Sequence, residues 1–447
     1  MAYPFFSITI PTYNRCDLLT YAIRSILKQT FDDFEIVVSD NHSVDRTERT
    51  VKEFDDPRVR YVKPPRHLVT VDSFEFARSN AKGKLVIVLN DDDVLTAGAL
   101  ERFARESETY HADLLFSNNA EYRDRGFPGP ERNTLDVTAF HGPSRLVTRE
   151  EFLKPAFACR LTFNQHPSAF VFSRVLAESI TNKCGRFFQS NGVEYCAWPL
   201  AAAFARNIVH IDAPLAICGR TGKSWGSNLV LGRAKKKQIQ KLIDIYYVDQ
   251  RYHCVPLKNF TMCNLRAEGI LAAKRLFPKE FAAYEFDEIK YLKDTIAELR
   301  HRQTLGVDVS TEMDELKRYL DKYPPMKEKL VREDESIARA REANPWIRLR
   351  GKIGDMGLRQ LRDRLEAHRL AKGRLSRDAE KVHRGDVRTG FRISGADFGF
   401  RDIVAAADFL STIMTAHGVQ CAAMASAATG PGRVDAPHLT KPATTSS

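Results

Sequence analysis

What this 447-residue chain lacks narrows it first. Its eight cysteines, at positions 16, 159, 184, 196, 218, 254, 263 and 421, include no pair spaced two to four residues apart. A zinc module needs such pairs, and scattered thiols give no disulfide framework. Buried cysteines in a reducing compartment are the expectation. The histidines form no His-Glu-x-x-His, which removes a common metalloprotease signature. No apolar run reaches the roughly 18 uncharged residues of a membrane span; the nearest, 403–419, carries Asp408. A polytopic membrane protein is therefore disfavoured. The first residues lack a basic n-region and a long apolar h-region, so no secretory signal is expected. Glycine is also missing where a P-loop needs it. Ile217-Cys-Gly-Arg-Thr-Gly-Lys-Ser224 ends as such a loop does, but the spacing demands glycine at Ile217 and no apolar helix follows. An NTPase is disfavoured.

What is there begins with Leu85-Val-Ile-Val-Leu-Asn-Asp-Asp-Asp93. A short apolar run suited to a buried strand stops at three carboxylates. Their mutual repulsion costs stability unless a cation answers it. Hard divalent ions take oxygen ligands and bridge carboxylates to phosphates. The competing reading is an acidic turn with an aspartate capping a helix that starts near Thr96. Upstream, strands at Phe5–Ile10, Phe34–Val38 and Val59–Val62 alternate with helical spacing in between, and a further strand follows at Asp113–Phe116. The pattern predicts an α/β fold with a doubly wound, mostly parallel sheet. Thr12-Tyr13-Asn14-Arg15, Asp40-Asn41 and Asp91-Asp92-Asp93 would then share its carboxyl edge, where such sheets bind ligands.

The runs Ser7-Ile-Thr-Ile-Pro-Thr-Tyr-Asn-Arg15, Val38-Ser-Asp-Asn-His-Ser-Val-Asp-Arg-Thr47 and Leu89-Asn-Asp-Asp-Asp-Val-Leu95 resemble the inverting GT-A glycosyltransferases of family 2 in content, order and spacing. The resemblance covers about residues 4–225, most closely up to 120. It implies a Rossmann-like GT-A domain that moves a sugar from a nucleotide-sugar, most simply a UDP-sugar, by single displacement with Mn²⁺ or Mg²⁺. It places Pro11, Thr12 and Tyr13 along the uridine pocket, with Arg15 and Asn41 completing the nucleotide contacts. Asp40 would meet the uracil and Asp91 the ribose, and Asp92 with Asp93 would take the metal. Two departures stand out. Asn90 occupies a position where many members have aspartate, which leaves the Asp-x-Asp register open by one residue. The usual Arg-Asn pair is absent from Val69–Phe74, leaving Arg66 or Arg78 as substitutes. The family's base opens a helix late in the domain, and Glu194 in Asn191-Gly-Val-Glu-Tyr-Cys-Ala-Trp198 falls there; Glu178 fits less well. A glutamate in a first helical turn is also favoured simply by the helix dipole. Arg220 and Lys223, with Ser224, would close the site over the diphosphate, or form a solvated basic loop.

Domains are expected at 1–232 (GT-A), 233–345 (a helical appendage) and 346–447 (a basic, helical to disordered C-terminal region). Helical spacing marks Ile239–Tyr246, Cys263–Leu276, Phe286–Arg300 and Glu312–Tyr323. Acceptor choice would lie in an irregular stretch from Glu121 to Gln165 and in the appendage. Between Arg341 and Arg392 stand 15 Lys and Arg against 7 Asp and Glu, a surplus of 8 out of a net +11. With Trp346, Leu358, Leu361 and Leu365 it suits peripheral contact with an anionic membrane; a solvated helix or disordered tail is the alternative. Nucleic acid is not an expected partner, since no aromatic residues interleave the charges to stack bases. The expected partners are a nucleotide-sugar donor and a saccharide or lipid-linked acceptor, in the cytoplasm or at the inner face of the plasma membrane. Two other classes share the scaffold: a sugar-phosphate nucleotidyltransferase, and a non-catalytic nucleotide-sugar-binding protein. The first usually opens on a glycine-rich loop where this chain has Pro11-Thr-Tyr-Asn, and the second would lack the carboxylates.

Overall fold

The computed structural model describes residues 3–127, 131–160, 163, 166–190, 192–224, 254–257, 259, 261–332, 376–383 and 389–416. The first half runs β1 (Phe6–Thr12), α1 (Cys16–Leu27), β2 (Phe34–Asp40), α2 (Thr47–Lys52), β3 (Val59–Val62), α3 (Thr70–Ser79) and β4 (Leu85–Val88). These strands lie parallel in the order β4-β1-β2-β3. The register sets Thr12 beside Asp40 at the carboxyl edge. β4 is buried along its whole length. Leu85 and Ile87 enter one core while Val86 and Val88 enter another, the period-two alternation of a strand covered on both faces.

The aspartates follow directly, and none of them caps the next helix. Instead β5 (Val94–Leu95) intervenes, and α4 (Ala99–Thr109) begins after Gly98 in a left-handed conformation. The helix expected near Thr96 is delayed because residues 94–95 pair antiparallel with a later strand. Next come β6 (Leu114–Arg123), β7 (Thr134–Val137), β8 (Ser144–Val147), α5 (Arg149–Phe157) and β9 (Phe170–Ser173). The stretch from Glu121 onward is thus more regular than its sequence suggests, for it holds two short strands and a helix with a Thr148/Glu151 capping box. Both strands are only four residues long, too short for alternation to declare itself. β9 lies antiparallel between β4 and β6, so the parallel half gives way to a mixed half.

After α6 (Arg174–Cys184), α7 (Val193–Phe204) and β10 (Ile208–Arg220) complete the site-bearing part. α7 is seated by Trp198, fully buried and stacked on Phe170 at 4.4 Å. β10 runs parallel to β6 and returns past β5 to the aspartate edge. Helices α8 (Met262–Leu276), α9 (Glu288–Thr304) and α10 (Ser310–Lys322) follow, close to the spacings expected. Residues 225–253, with Ile239–Tyr246, and 333–375, with Trp346, Leu358, Leu361 and Leu365, lie outside the described residues.

The chain then returns to the sheet. α11 (Arg377–His383) precedes β11 (Phe391–Ser394), which pairs antiparallel with β7. A short turn of helix, α12 (Gly395–Phe398), leads to α13 (Ile403–Ala416). α13 buries Ala406, Leu410 and Met414 in the same core as Ile8, Ile36 and Ile87. Ser411 Oγ accepts from the Ala97 amide at 2.9 Å, and Lys28 meets Asp408 at 3.0 Å. Composition groups these residues with the basic tail, whereas packing groups them with the first domain. The distance in sequence hides it: nothing local in Phe391–Ser394 names a partner strand more than 250 residues away.

The docked α13 predicts that Leu410→Ala, at a fully buried position, destabilises the whole domain by about 2–5 kcal/mol. Urea unfolding followed by tryptophan fluorescence measures it. A loss under about 0.5 kcal/mol, the scale of a surface substitution, would mean α13 is not part of this core.

Candidate active site

Three carboxylates at a strand end must find hydrogen-bond donors or cations, and here each finds a different set. Asp91 accepts from Thr12 Oγ1 at 2.8 Å and from Arg15 Nη1 at 2.8 Å. Both partners come from the end of β1, one strand over. Asp92 accepts from Ser224 Oγ at 2.8 Å, and its Oδ2 lies 3.3 Å from Arg15 Nη1. Asp93 turns inward. Its Oδ1 accepts from the Gly219 amide at 2.9 Å and its Oδ2 accepts from Ser168.

Charge and burial oppose each other across this trio. Burial, then the neighbouring Asp92, pushes Asp91 and Asp93 above the ordinary carboxylate range, while Arg15 pulls Asp91 back. For Arg15 burial works against the charge, and Asp91 with Asp92 outweighs it, raising the guanidinium above its usual value. Arg15 touches two of the acids and Arg220 acts on Asp93 from farther off, so the three carboxylates outnumber the positive charges about them. Arg15 Nη2 also donates to the Lys223 carbonyl at 2.6 Å. That bond ties the loop after β10 over the aspartates.

β10 passes so close that a side chain at 219 cannot fit. A Cβ on Gly219 would stand 1.9 Å from the Asp92 carbonyl oxygen. Glycine inside a strand often marks such an approach, so Gly219 is legible in the sequence as a point of close contact. Ser168 and His166 had no signal at all. They arrive on the turn before β9, where His166 Nδ1 lies 3.4 Å from Asp93 Oδ2. Burial, then Arg220, lowers the imidazole to about 4, so it stands neutral. Asp93, His166 and Cys218 place one donor atom each within 4.8 Å of one another.

A second cluster lies at the end of β2. Asp40, 1% exposed, accepts from the Ser43 amide at 2.8 Å and from the Tyr61 hydroxyl at 2.6 Å. Asn41 exchanges two 2.8 Å bonds with the Leu68 backbone, pinning the loop before α3. Pro11 is buried in β1 opposite Ser39. Tyr13 is exposed, and its ring lies 4.8 Å from that of His67. The two rings make an aromatic platform beside Asp40 and Thr12, and His67 is a member sequence reasoning missed.

The remaining expected residues are more dispersed. Arg220 is held by Glu121 at 2.5 Å, and it acts on Asp93 electrostatically rather than by contact. The Lys223 ammonium lies 3.9 Å from Asp17, so its contribution to the cluster is the backbone carbonyl that Arg15 holds. Arg78 pairs with Glu75 one turn back on α3 itself. Glu178 is on the surface with Arg174 at 2.6 Å. Glu194 sits in the first turn of α7; burial raises its carboxyl, opposed by the helix-start amide and by Arg266. Burial raises the hydroxyl of its neighbour Tyr195, as does the charge of Glu194, while Arg266 and Arg220 oppose it.

The oxygen donors suit a hard divalent cation: Asp91, Asp92, the Ser224 hydroxyl and the Lys223 carbonyl converge, with the arginine between them. Among the described residues no helix is long and apolar enough to cross a membrane. Cys16, Cys159, Cys184, Cys196, Cys218, Cys254 and Cys263 are free thiols.

Several known proteins are similar to part of this chain. A β-1,3-glucosyltransferase from Campylobacter jejuni, named for GalNAc(5)-diNAcBac-PP-undecaprenol, is 36% identical over 115 residues, 25% of this chain and 37% of that protein. WfgD of Escherichia coli, a UDP-Glc:α-D-GlcNAc-diphosphoundecaprenol β-1,3-glucosyltransferase, is 33% identical over 148 residues, 33% of this chain and 54% of its own. The chain thus spans about a third to a half of these curated relatives. Among solved structures, Staphylococcus aureus TarS 1–349 in complex with UDP-GlcNAc aligns at 17% identity over 72% of this chain and 91% of that one, with a TM-score of 0.42. Residues 7–181 match the description "Glycosyl transferase family 2".

Proposed function

We propose that the protein is a metal-dependent inverting glycosyltransferase that moves a sugar from a UDP-sugar to a hydroxyl of a lipid-linked or other saccharide acceptor. The observation that carries this reading is the convergence of Thr12, Arg15 and Ser224 on Asp91 and Asp92. An edge with more acid than base, roofed by a loop, suits a ligand that brings its own cation and phosphates. The platform of Tyr13 and His67 offers a base a stacking face beside Asp40. Both glucosyltransferase relatives carry diphosphoundecaprenol-type acceptors in their names, and one carries UDP-Glc. These names support a lipid-linked acceptor and a UDP donor here.

In this account Asp91 orients the ribose side of the donor and Asp92 would hold the cation. A Mn²⁺ or Mg²⁺ bound there would stabilise the charge that develops on the departing diphosphate. Arg15 and the 221–224 loop lie against the same group and exclude water from it. Asp93, both of whose oxygens are already bonded within the protein, braces Gly219 and Ser168 and is a second-choice ligand. Glu194 takes the proton of the attacking hydroxyl, and burial in the first turn of α7 keeps its basicity above that of an exposed glutamate. Peripheral contact with an anionic membrane through the basic segment 341–392 accords with a lipid-linked acceptor.

Asp92→Ala is expected to remove the Mn²⁺-dependent part of UDP binding in calorimetry, leaving weak binding that no longer responds to the metal. Identical titrations for the two proteins would take the metal role away from Asp92. Glu194→Gln is expected to leave UDP binding within about twofold while slowing UDP-sugar turnover by roughly 10²–10⁴. Near-normal turnover in a folded variant would remove Glu194 as base.

A further inference from the structure

Asp93 is fastened by two bonds, and each bond carries a metal-binding side chain to it. Its Oδ1 accepts from the Gly219 amide at 2.9 Å, so Cys218, the residue before that glycine in β10, is brought to the same place. Its Oδ2 accepts from Ser168. Two residues before that serine stands His166, whose Nδ1 lies 3.4 Å from the same oxygen. One carboxylate oxygen, one imidazole nitrogen and one thiol sulfur thus lie within 4.8 Å of one another. They come from the end of β4, the turn before β9 and β10.

The spacing suits a tetrahedral ion. Nitrogen and oxygen ligands at about 2.0–2.1 Å from such an ion stand roughly 3.3–3.4 Å apart, and the His166–Asp93 separation of 3.4 Å already meets this. Binding would draw the sulfur to about 3.5 Å from both. Asp93 and Cys218 are buried, and the His166 side chain, 22% exposed, gives an ion its way in.

The ligand side chains are also held from behind, as metal ligands need to be. Asn119 Nδ2 donates to Cys218 Sγ, a bond that favours thiolate over thiol. The Asn90 side-chain amide lies 3.5 Å from His166 Nε2. Turned so that its oxygen faces Nε2, it holds the ring proton there and leaves the Nδ1 lone pair for an ion. The Asn90 backbone amide also donates to Ser168 Oγ at 3.2 Å, which ties this support to the turn that carries His166. Carboxylate, thiolate and neutral imidazole carry two negative charges together, and one divalent cation cancels them. That matters at an edge where acids outnumber the positive charges about them. Sulfur and nitrogen select zinc, whereas manganese and magnesium prefer the oxygen donors around Asp92.

We propose that Asp93, His166 and Cys218 bind Zn²⁺, at a site separate from that of the Mn²⁺ or Mg²⁺ assigned to Asp92. On binding, the Cys218 thiol gives its proton to solvent. Three protein ligands leave a fourth position for water. The ion staples the end of β4 to the turn before β9 and to β10, and so stiffens the frame from which Asp92 points. Asn90, which stands where many family 2 members have aspartate, serves His166 in this arrangement.

The test uses the full chain, stripped with EDTA and titrated with Co²⁺ as a spectroscopic stand-in for Zn²⁺. The expected result is a thiolate-to-cobalt charge-transfer band that saturates at one ion per chain and disappears when Zn²⁺ is added. Mn²⁺ with UDP is expected to leave the band in place. Cys218→Ala and His166→Ala should each weaken Zn²⁺ binding by more than about 100-fold, with Mn²⁺-dependent UDP binding kept within twofold. Four results would each overturn the proposal: no band in the wild type, a band that survives in folded Cys218→Ala, unaltered Zn²⁺ affinity in folded His166→Ala, or loss of the band to Mn²⁺ and UDP. Should a variant not fold, X-ray absorption at the zinc edge of the wild-type protein decides. One sulfur at about 2.3 Å with nitrogen and oxygen at about 2.0–2.2 Å is the expected shell. A shell with no sulfur, or with more than one, overturns the assignment.

Discussion

The structure turns on how three adjacent carboxylates are accommodated at the end of a buried strand. Hydrophobic burial fixes β4 in the middle of the sheet and gives Asp91, Asp92 and Asp93 little freedom to leave. Each is answered from a different direction: β1 through Thr12 and Arg15, the loop after β10 through Ser224, and the turn before β9 through Ser168. Three segments far apart in sequence are therefore held together by one local shortage of positive charge. Burying unpaired charge is expensive, and such a site is stabilised further by a ligand that carries a cation. Fold and function share a cause here.

Asp93 shows how the work divides within the trio. Its bond to the Gly219 amide brings β10 against the Asp92 backbone, at a distance only glycine allows. That brace fixes the direction of Asp92. The two outer acids then face Arg15 and the roof loop, and the innermost one is a fastening.

Much of this was legible in the sequence where the signal is local. The apolar run ending in Asp91, the polar end of β1 and the Asp40 cluster each stand within ten residues, and family 2 spacing joins them. The parallel half of the sheet followed from alternating strand and helix patterns. Illegible were the contacts that tertiary packing alone creates. His67 reaches Tyr13 because Asn41 pins its loop, and His166 reaches Asp93 because β9 inserts between β4 and β6. The short strands β7 and β8 gave too little alternation to read. Basic composition hid β11 and α13, since averaging charge over residues 346–447 obscures a strand and an apolar helix that belong to the first core. Asn41 and Arg220 illustrate the converse, polar residues at the expected positions whose side chains are engaged by the protein itself.

The direct test is anomalous diffraction from crystals grown with UDP and Mn²⁺. A manganese peak bonded to Asp92 and to the diphosphate, with the Arg15 guanidinium moved off Asp92, is the result the account predicts. A peak seated among Asp93, His166 and Cys218, or UDP bound away from the Thr12–Asp91 edge, would contradict it.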